Sequence, residues 1–195
     1  MAELAGSASA ARRQPALAAP PVLWAGVAIQ VLPDEARFSL RLPKAAAATA
    51  AEVAGFSLAV PVNRYAKNDQ RWSARLGPNE WLLGGPEGDG GAIAAEIEAA
   101  LAGQIHGVTD ISHRQVAFDV AGAEAANILN AGCPLDLSLV GFPGGSATRS
   151  ILGKAEIVLM RPASAPVFRV ECWRSFAEYV HAFLAEAARD CPARE

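Results

Sequence analysis

Four groups of residues in this chain have the types and spacing that could do chemistry. Cys133 stands in the run Cys133-Pro134-Leu135-Asp136, where a thiolate could act as a nucleophile if a nearby cation lowered its pKa. Its neighbours Gly132, Pro134, Leu135 and Asp136 include no such cation, so Cys133 reads as a small buried apolar side chain. The turn Phe142-Pro143-Gly144-Gly145 has the glycines of a phosphate cradle. It leads into the strand-like run 149–161, however, and backbone N–H groups that hold phosphate are presented at the start of a helix. The stretch 81–97 does pass from strand to helix through glycines, but it lacks GxGxxG and GxxxxGK spacing, and Glu87 and Asp89 would repel an anion. Asp110, Ser112 and His113 have the residue types of a hydrolytic triad. Strand alternation sends 110 and 112 to one side and 113 to the other, no nucleophile elbow is present, and the three read as hydrogen-bonding and capping groups at a strand end.

Metal ligation finds no better footing. Cys133, Cys172 and Cys191 form no CxxC pair, and His106, His113 and His181 are too scattered for ligand spacing. No catalytic, cofactor-binding or metal-binding residue is therefore assigned, and the odd cysteine count fits a reducing compartment. Arg149, Arg161, Arg169 and Arg174 cluster late in the chain, while Trp24, Trp72, Trp81 and Trp173 are spread through it. Arg and Trp are enriched at protein contacts, and they serve equally as solvated arginines and core tryptophans; sequence leaves both readings open.

The elements that must position these groups alternate between period-2 and helical segments. Residues 36–43 put Phe38, Leu40 and Leu42 on one face and Arg37, Ser39 and Arg41 on the other, the pattern of a half-buried strand. An alanine-rich helix over 44–55 should stop at Gly55, with a strand at 56–60 and two more in 71–85 around the turn 77–80. The next helix, 89–103, takes Asp89 as its cap and Ile93, Ile97, Ala100 and Leu101 as its stripe. The order then recurs: a strand at 114–122, a helix at 123–132 closed by Gly132, an extended piece at 133–137, a hairpin at 149–161 turning at Gly153-Lys154, and a strand at 166–173. A helix over 174–189 ends the series, with Ser175 and Glu178 as a capping box and Phe176, Val180, Phe183, Leu184 and Ala187 facing the core.

This order predicts an α+β fold of two similar lobes of mainly antiparallel sheet, about 23–112 and 113–188, within one domain. Residues 1–22, rich in Ala, Ser and Pro, read as a disordered arm, and 189–195 as a frayed end. The chain has 195 residues and 52% apolar content, enough to fill a core. The net charge of −3 is spread without a like-charge block, which argues against nucleic acid and membrane surfaces as partners. The early residues lack a secretory pattern and no apolar run reaches the roughly 18–20 residues of a membrane span, so the expected location is cytoplasmic.

The segment "VTDISHRQVAFDVAGAEAANILNAG" resembles the folate-binding fold of glycine-cleavage T-proteins. The later runs "CPLDL", "RS.LGKAEIVLMR" and "FRVECWRSFAEYVHAFL" resemble more narrowly the gamma subunit of heterotetrameric sarcosine oxidase, over about Val27 to Leu184. That resemblance implies a non-catalytic structural subunit without a cofactor of its own. Its implied partners are the alpha, beta and delta subunits, to which FAD, FMN, NAD, tetrahydrofolate and zinc belong. The implied complex demethylates sarcosine oxidatively to glycine, with hydrogen peroxide formed and the one-carbon unit passed to tetrahydrofolate. The T-protein resemblance keeps a second expectation open, a stand-alone folate-binding one-carbon transferase or regulator.

Overall fold

Alternation of apolar and polar side chains is realised as strands along most of the chain. The structure, a computed structural model, describes residues 14–24 and 26–191. The first half contains β1 (Val22–Trp24), β2 (Val27–Val31), β3 (Glu35–Arg41), α1 (Lys44–Thr49), β4 (Glu52–Val53), β5 (Phe56–Ser57), β6 (Arg64–Asn68), β7 (Arg71–Gly77), β8 (Glu80–Pro86) and α2 (Gly90–Ala100). The second half contains β9 (Gly107–Asp110), β10 (Gln115–Gly122), α3 (Ala125–Asn130), β11 (Ser146–Leu152), β12 (Ala155–Arg161), β13 (Val167–Trp173) and α4 (Ala177–Asp190).

Apart from the small β4–β5 hairpin, the strands form one sheet of order β1-β2-β10-β13-β12-β11-β6-β7-β8-β3-β9, paired antiparallel. Its two halves meet through a single register position, Ser146 opposite Arg64. The strand β2 pairs with β10 through Val27 opposite Gly122 to Val31 opposite Phe118, so chain lying before the expected lobe boundary at 112/113 completes the second half-sheet. β9, likewise, crosses back to pair with β3.

Side-chain alternation divides the interior into three layers. On β12, Ile157 and Leu159 join Phe118, Phe168, Val170, Val180 and Leu184 beneath α3 and α4. On β8, Trp81 and Leu83 join Phe38, Leu40, Phe56, Ile93 and Ile97 beneath α2. The intervening residues Val158, Met160, Leu82, Trp72 and Ala74 form a third cluster, where the inner faces of the half-sheets meet. Strands buried on both faces require small side chains at points of close approach. Gly84 lies against the Trp72 ring so closely that an added Cβ would overlap the indole. Gly84→Ala is accordingly expected to cost about 1–3 kcal/mol through overpacking, read as a lowered urea midpoint with unchanged slope.

Several local expectations are corrected by tertiary contacts. The helix expected over 44–55 ends at Thr49. Gly55 turns the β4–β5 hairpin, with φ of 49° at Ala54 and 71° at Gly55, because this turn lets Val53 and Phe56 both enter the core. Asp89 and Ser175 make no side-chain capping bond; a 3-10 turn precedes each helix, and this tighter winding takes the place of the cap. Ala100 is exposed, whereas Ile93, Ile97 and Leu101 are buried. Residues 133–137 pair with no strand.

The expected arm is described only from Gln14 onward. Ala16 and Leu17 pack against the cluster beneath α4, and the Gln14 carbonyl accepts a 2.7 Å bond from Arg174. Residues 1–13 and 192–195 lie outside the described residues. Among the described residues, no helix is long and apolar enough to cross a membrane.

Candidate functional site

The inner faces of the half-sheets carry charge as well as apolar surface. Arg37 on β3 and Glu171 on β13 are both 0% exposed, and Arg37 Nε lies 2.9 Å from Glu171 Oε2. Arg169 joins Glu171 Oε1 and Glu35 Oε2, each at 2.6 Å, while its guanidinium stacks 4.7 Å from the Trp72 ring centre. The Trp72 indole donates a 3.2 Å bond to Glu35 Oε2. This four-membered chain of alternating charge ties β3 to β13, strands far apart in the sheet order. Burial pushes the Glu35 pKa up, but the Arg169 hydrogen bond and charge, aided by Arg37 and Trp72, outweigh it and hold the carboxyl below its ordinary value. Burial raises the neighbouring Tyr65 and Asp119.

Beside this chain, a cleft of about 570 Å³ opens between the half-sheets. Glu80 lies at its edge, held by both guanidiniums of Arg149 at 2.9 Å and Arg41 at 3.1 Å. The Arg149 hydrogen bond is the main cause of a lowered Glu80 pKa. Arg114, which sits over the Trp173 ring, and the buried Gln115 join the polar lining, with Ser39, Ser150, Glu156 and Glu171.

Of the residues singled out from sequence, Arg149, Trp81 and Trp173 line the cleft, whereas Cys133, Pro143-Gly144-Gly145, Asp110, Ser112 and His113 do not. Cys133 is buried beneath α3 with its Sγ 3.4 Å from Ser150 Oγ. Cys133→Ser should therefore cost only about 1–2 kcal/mol, since the new hydroxyl keeps a hydrogen-bonding neighbour; chemical denaturation of the full chain measures it. Burial, reinforced by the Glu171 charge, pushes the Cys172 thiol up to about 12, which leaves it protonated at neutral pH. Pro143-Gly144-Gly145 is a turn closed by Ser146 N–H donating to the Pro143 carbonyl, and it enters β11 directly. Asp110 accepts from the Ser112 N–H and hydroxyl at 2.8 and 2.6 Å, and Ser112 Oγ accepts from the Arg37 N–H. These bonds anchor the β9–β10 connection to β3. Among the described residues, no group of three or more His, Cys, Asp or Glu side chains could hold a metal.

The arginines separate by role. Arg161 is buried and donates to the carbonyls of Leu137 and Phe142, both at 3.1 Å, while Arg169 belongs to the buried chain of charge and Arg149 to the cleft. Trp72 and Trp81 are core residues, whereas Trp24 and Trp173 are exposed. Sequence reading missed Glu35, Arg37, Glu80, Gln115 and Glu171. For Glu35, Arg37 and Glu171 the one local signal was charge at alternate positions of otherwise apolar strands; Glu80 and Gln115 gave none.

The profile described as "Sarcosine oxidase, gamma subunit family" matches residues 41–190. The chain belongs to that family. Two gamma-family relatives, sarcosine oxidase subunit gamma of Arthrobacter sp and of Corynebacterium sp. (strain P-1), are 35% and 34% identical over 86 residues. The matched stretch spans 44% of this gamma-family chain and 41% of each relative's length. A chain in the structure of heterotetrameric sarcosine oxidase from Corynebacterium sp. U-96 superposes with a TM-score of 0.75 at 26% identity, covering 89% of both chains. Aminomethyltransferase T of the glycine cleavage system from Bartonella henselae shares the fold, with a TM-score of 0.64 at 17% identity over 86% of this chain and 50% of that one. The α+β, mainly antiparallel architecture expected from sequence is thus that of these neighbours.

Proposed function

We propose that this chain is the structural gamma subunit of a heterotetrameric sarcosine oxidase and does none of the chemistry itself. The observation that carries the reading is the family match over residues 41–190, joined to the superposition on a chain of the heterotetrameric enzyme. The reaction is the oxidative demethylation of sarcosine to glycine, with hydrogen peroxide formed and the one-carbon unit passed to tetrahydrofolate. In this reading the alpha, beta and delta subunits hold FAD, FMN, NAD, tetrahydrofolate and zinc, and the complex is cytoplasmic. The buried charges of this chain support the reading because they neutralise one another across the half-sheets. Surface features support it too: Leu139 and Val140 project from the loop before β11, and Leu23 and Trp24 from the edge strand β1. Exposed apolar side chains of this kind suit contacts with other subunits.

Co-expression of the full chain with the other subunits tests the proposal. The purified chain alone should show no flavin absorbance near about 450 nm and no sarcosine oxidation, whereas leaving it out should prevent recovery of an intact, active complex. Stoichiometric flavin in the pure chain would sink the idea. The assembled complex carrying Cys133→Ser should turn over sarcosine at nearly the unsubstituted rate; abolished turnover there would make the thiol catalytic.

The cleft between half-sheets, on a fold shared with aminomethyltransferase T, favours one rival reading, a folate-binding one-carbon transferase acting alone. Calorimetric titration of the chain with tetrahydrofolate separates the two. The structural-subunit reading expects no saturable heat.

A further inference from the structure

We infer that the cleft between the half-sheets is a small-molecule site for an aliphatic N-acylated amino acid, recognised at its amide N–H by Gln115 and at its carboxylate by Arg41 and Arg149. This goes beyond the structural role proposed above and does not depend on it. The decisive observation is Gln115. It begins β10, keeps only 6% of its surface and lines the cleft, yet its side-chain Oε1 is buried without a hydrogen-bond partner. A buried acceptor left unpaired is costly, and native structures seldom tolerate it without a role. A ligand with an N–H donor at this depth satisfies it.

Charge at the mouth selects the rest of the ligand. Arg41, Arg114 and Arg149 line the cleft against Glu80 and Glu156, which leaves one positive charge uncompensated. Glu171 also lines it but is already neutralised by Arg37 and Arg169. Glu80 is shared by two guanidiniums, and both remain more than half exposed, at 56% for Arg41 and 54% for Arg149, with donors free for a second carboxylate. One carboxylate completes the balance and two would overfill it. Leu76, Leu82, Ile111 and Val158 give the lining an aliphatic part, beside Trp81, Trp173, Ser39 and Ser150. A volume of about 570 Å³ is in the size range of small-ligand sites. A monoanionic carboxylate, an amide N–H and an aliphatic body together describe an N-acylated amino acid.

The test uses two compounds that differ by one group. N-Hexanoylglycine carries the amide N–H, and 4-oxononanoate has a methylene in its place, with the same length, carbonyl position and carboxylate. Titrated calorimetrically into the full chain, N-hexanoylglycine should bind with a Kd below about 1 mM and roughly tenfold tighter than 4-oxononanoate. Gln115→Leu should abolish that preference while leaving 4-oxononanoate binding in place, and Arg149→Met should weaken both compounds about tenfold. Circular dichroism checks that each variant is folded. The inference is overturned if neither compound gives saturable heat with the folded unsubstituted chain. It is equally overturned if the N–H preference survives in Gln115→Leu, or if Arg149→Met leaves both affinities unchanged.

Discussion

Arg37→Met should destabilise the chain by about 3–5 kcal/mol, the cost of leaving a buried charge without its partner. Glu171 has no exposed surface, and in the variant Arg169 alone must balance both Glu171 and Glu35. For a chain of 195 residues the change corresponds to a fall in Tm of about 6–20 °C. The double variant Arg37→Met with Glu171→Met should recover much of the loss, because it removes both charges, keeps comparable volume and leaves the Arg169–Glu35 pair intact. Differential scanning calorimetry of the two variants decides the matter. If the double variant falls further than the single one, the two charges do not act as a pair. Acid should erode this network and, separately, the Glu80 pairs with Arg149 and Arg41. Glu35 and Glu80 are held below their ordinary carboxyl values, so each contributes stability that is complete above the unfolded pKa and is lost as pH falls through the lowered folded one.

Phe142→Ala should cost about 3–5 kcal/mol, the usual range for truncating a buried aromatic ring. Phe142 is 6% exposed, and its ring stacks on Phe168 with centroids 6.5 Å apart. Its carbonyl accepts from Arg161, which also lies over the Phe168 ring at 4.8 Å. Loss of the ring therefore opens a cavity and loosens the seat of a buried guanidinium. The effect falls on folding, because Phe142 faces its own core while Leu139 and Val140 face outward. Urea unfolding of the isolated chain measures it. A cost below about 1 kcal/mol would mean that the 133–145 connection is not anchored through this residue.

The difference between what pattern reading reaches and what it misses is clear on β3. Alternation located the strand and its core residues Phe38 and Leu40, because apolar side chains at every second position require a covered face. It also placed Arg37 toward solvent, and there the local rule fails. Arg37 is covered by β13, whose Glu171 lies 134 residues further along the chain, and no window around residue 37 contains that surface. Gln115 shows the same limit: a polar residue opening a strand looks ordinary until β3, β8, β11 and β12 close a cleft around it. The Ala54–Gly55 turn was hidden for another reason, since alanine-rich sequence favours helix locally while burial of Val53 and Phe56 favours the hairpin.

Sequence alone thus determined the elements governed by nearest neighbours. These include the β11–β12 hairpin at Gly153-Lys154, the turn at Pro143-Gly144-Gly145, the apolar face of α4 and the recurrence that predicts two antiparallel lobes. Tertiary structure alone decided that β2 completes the second half-sheet, that Glu35, Arg169, Glu171 and Arg37 form one buried chain of charge, and that Arg41, Arg149 and Gln115 share a cleft. The physical reason is that a strand's periodicity depends on its own residues, whereas burial of its polar face depends on what packs across it, and here that is supplied from the opposite half of the chain.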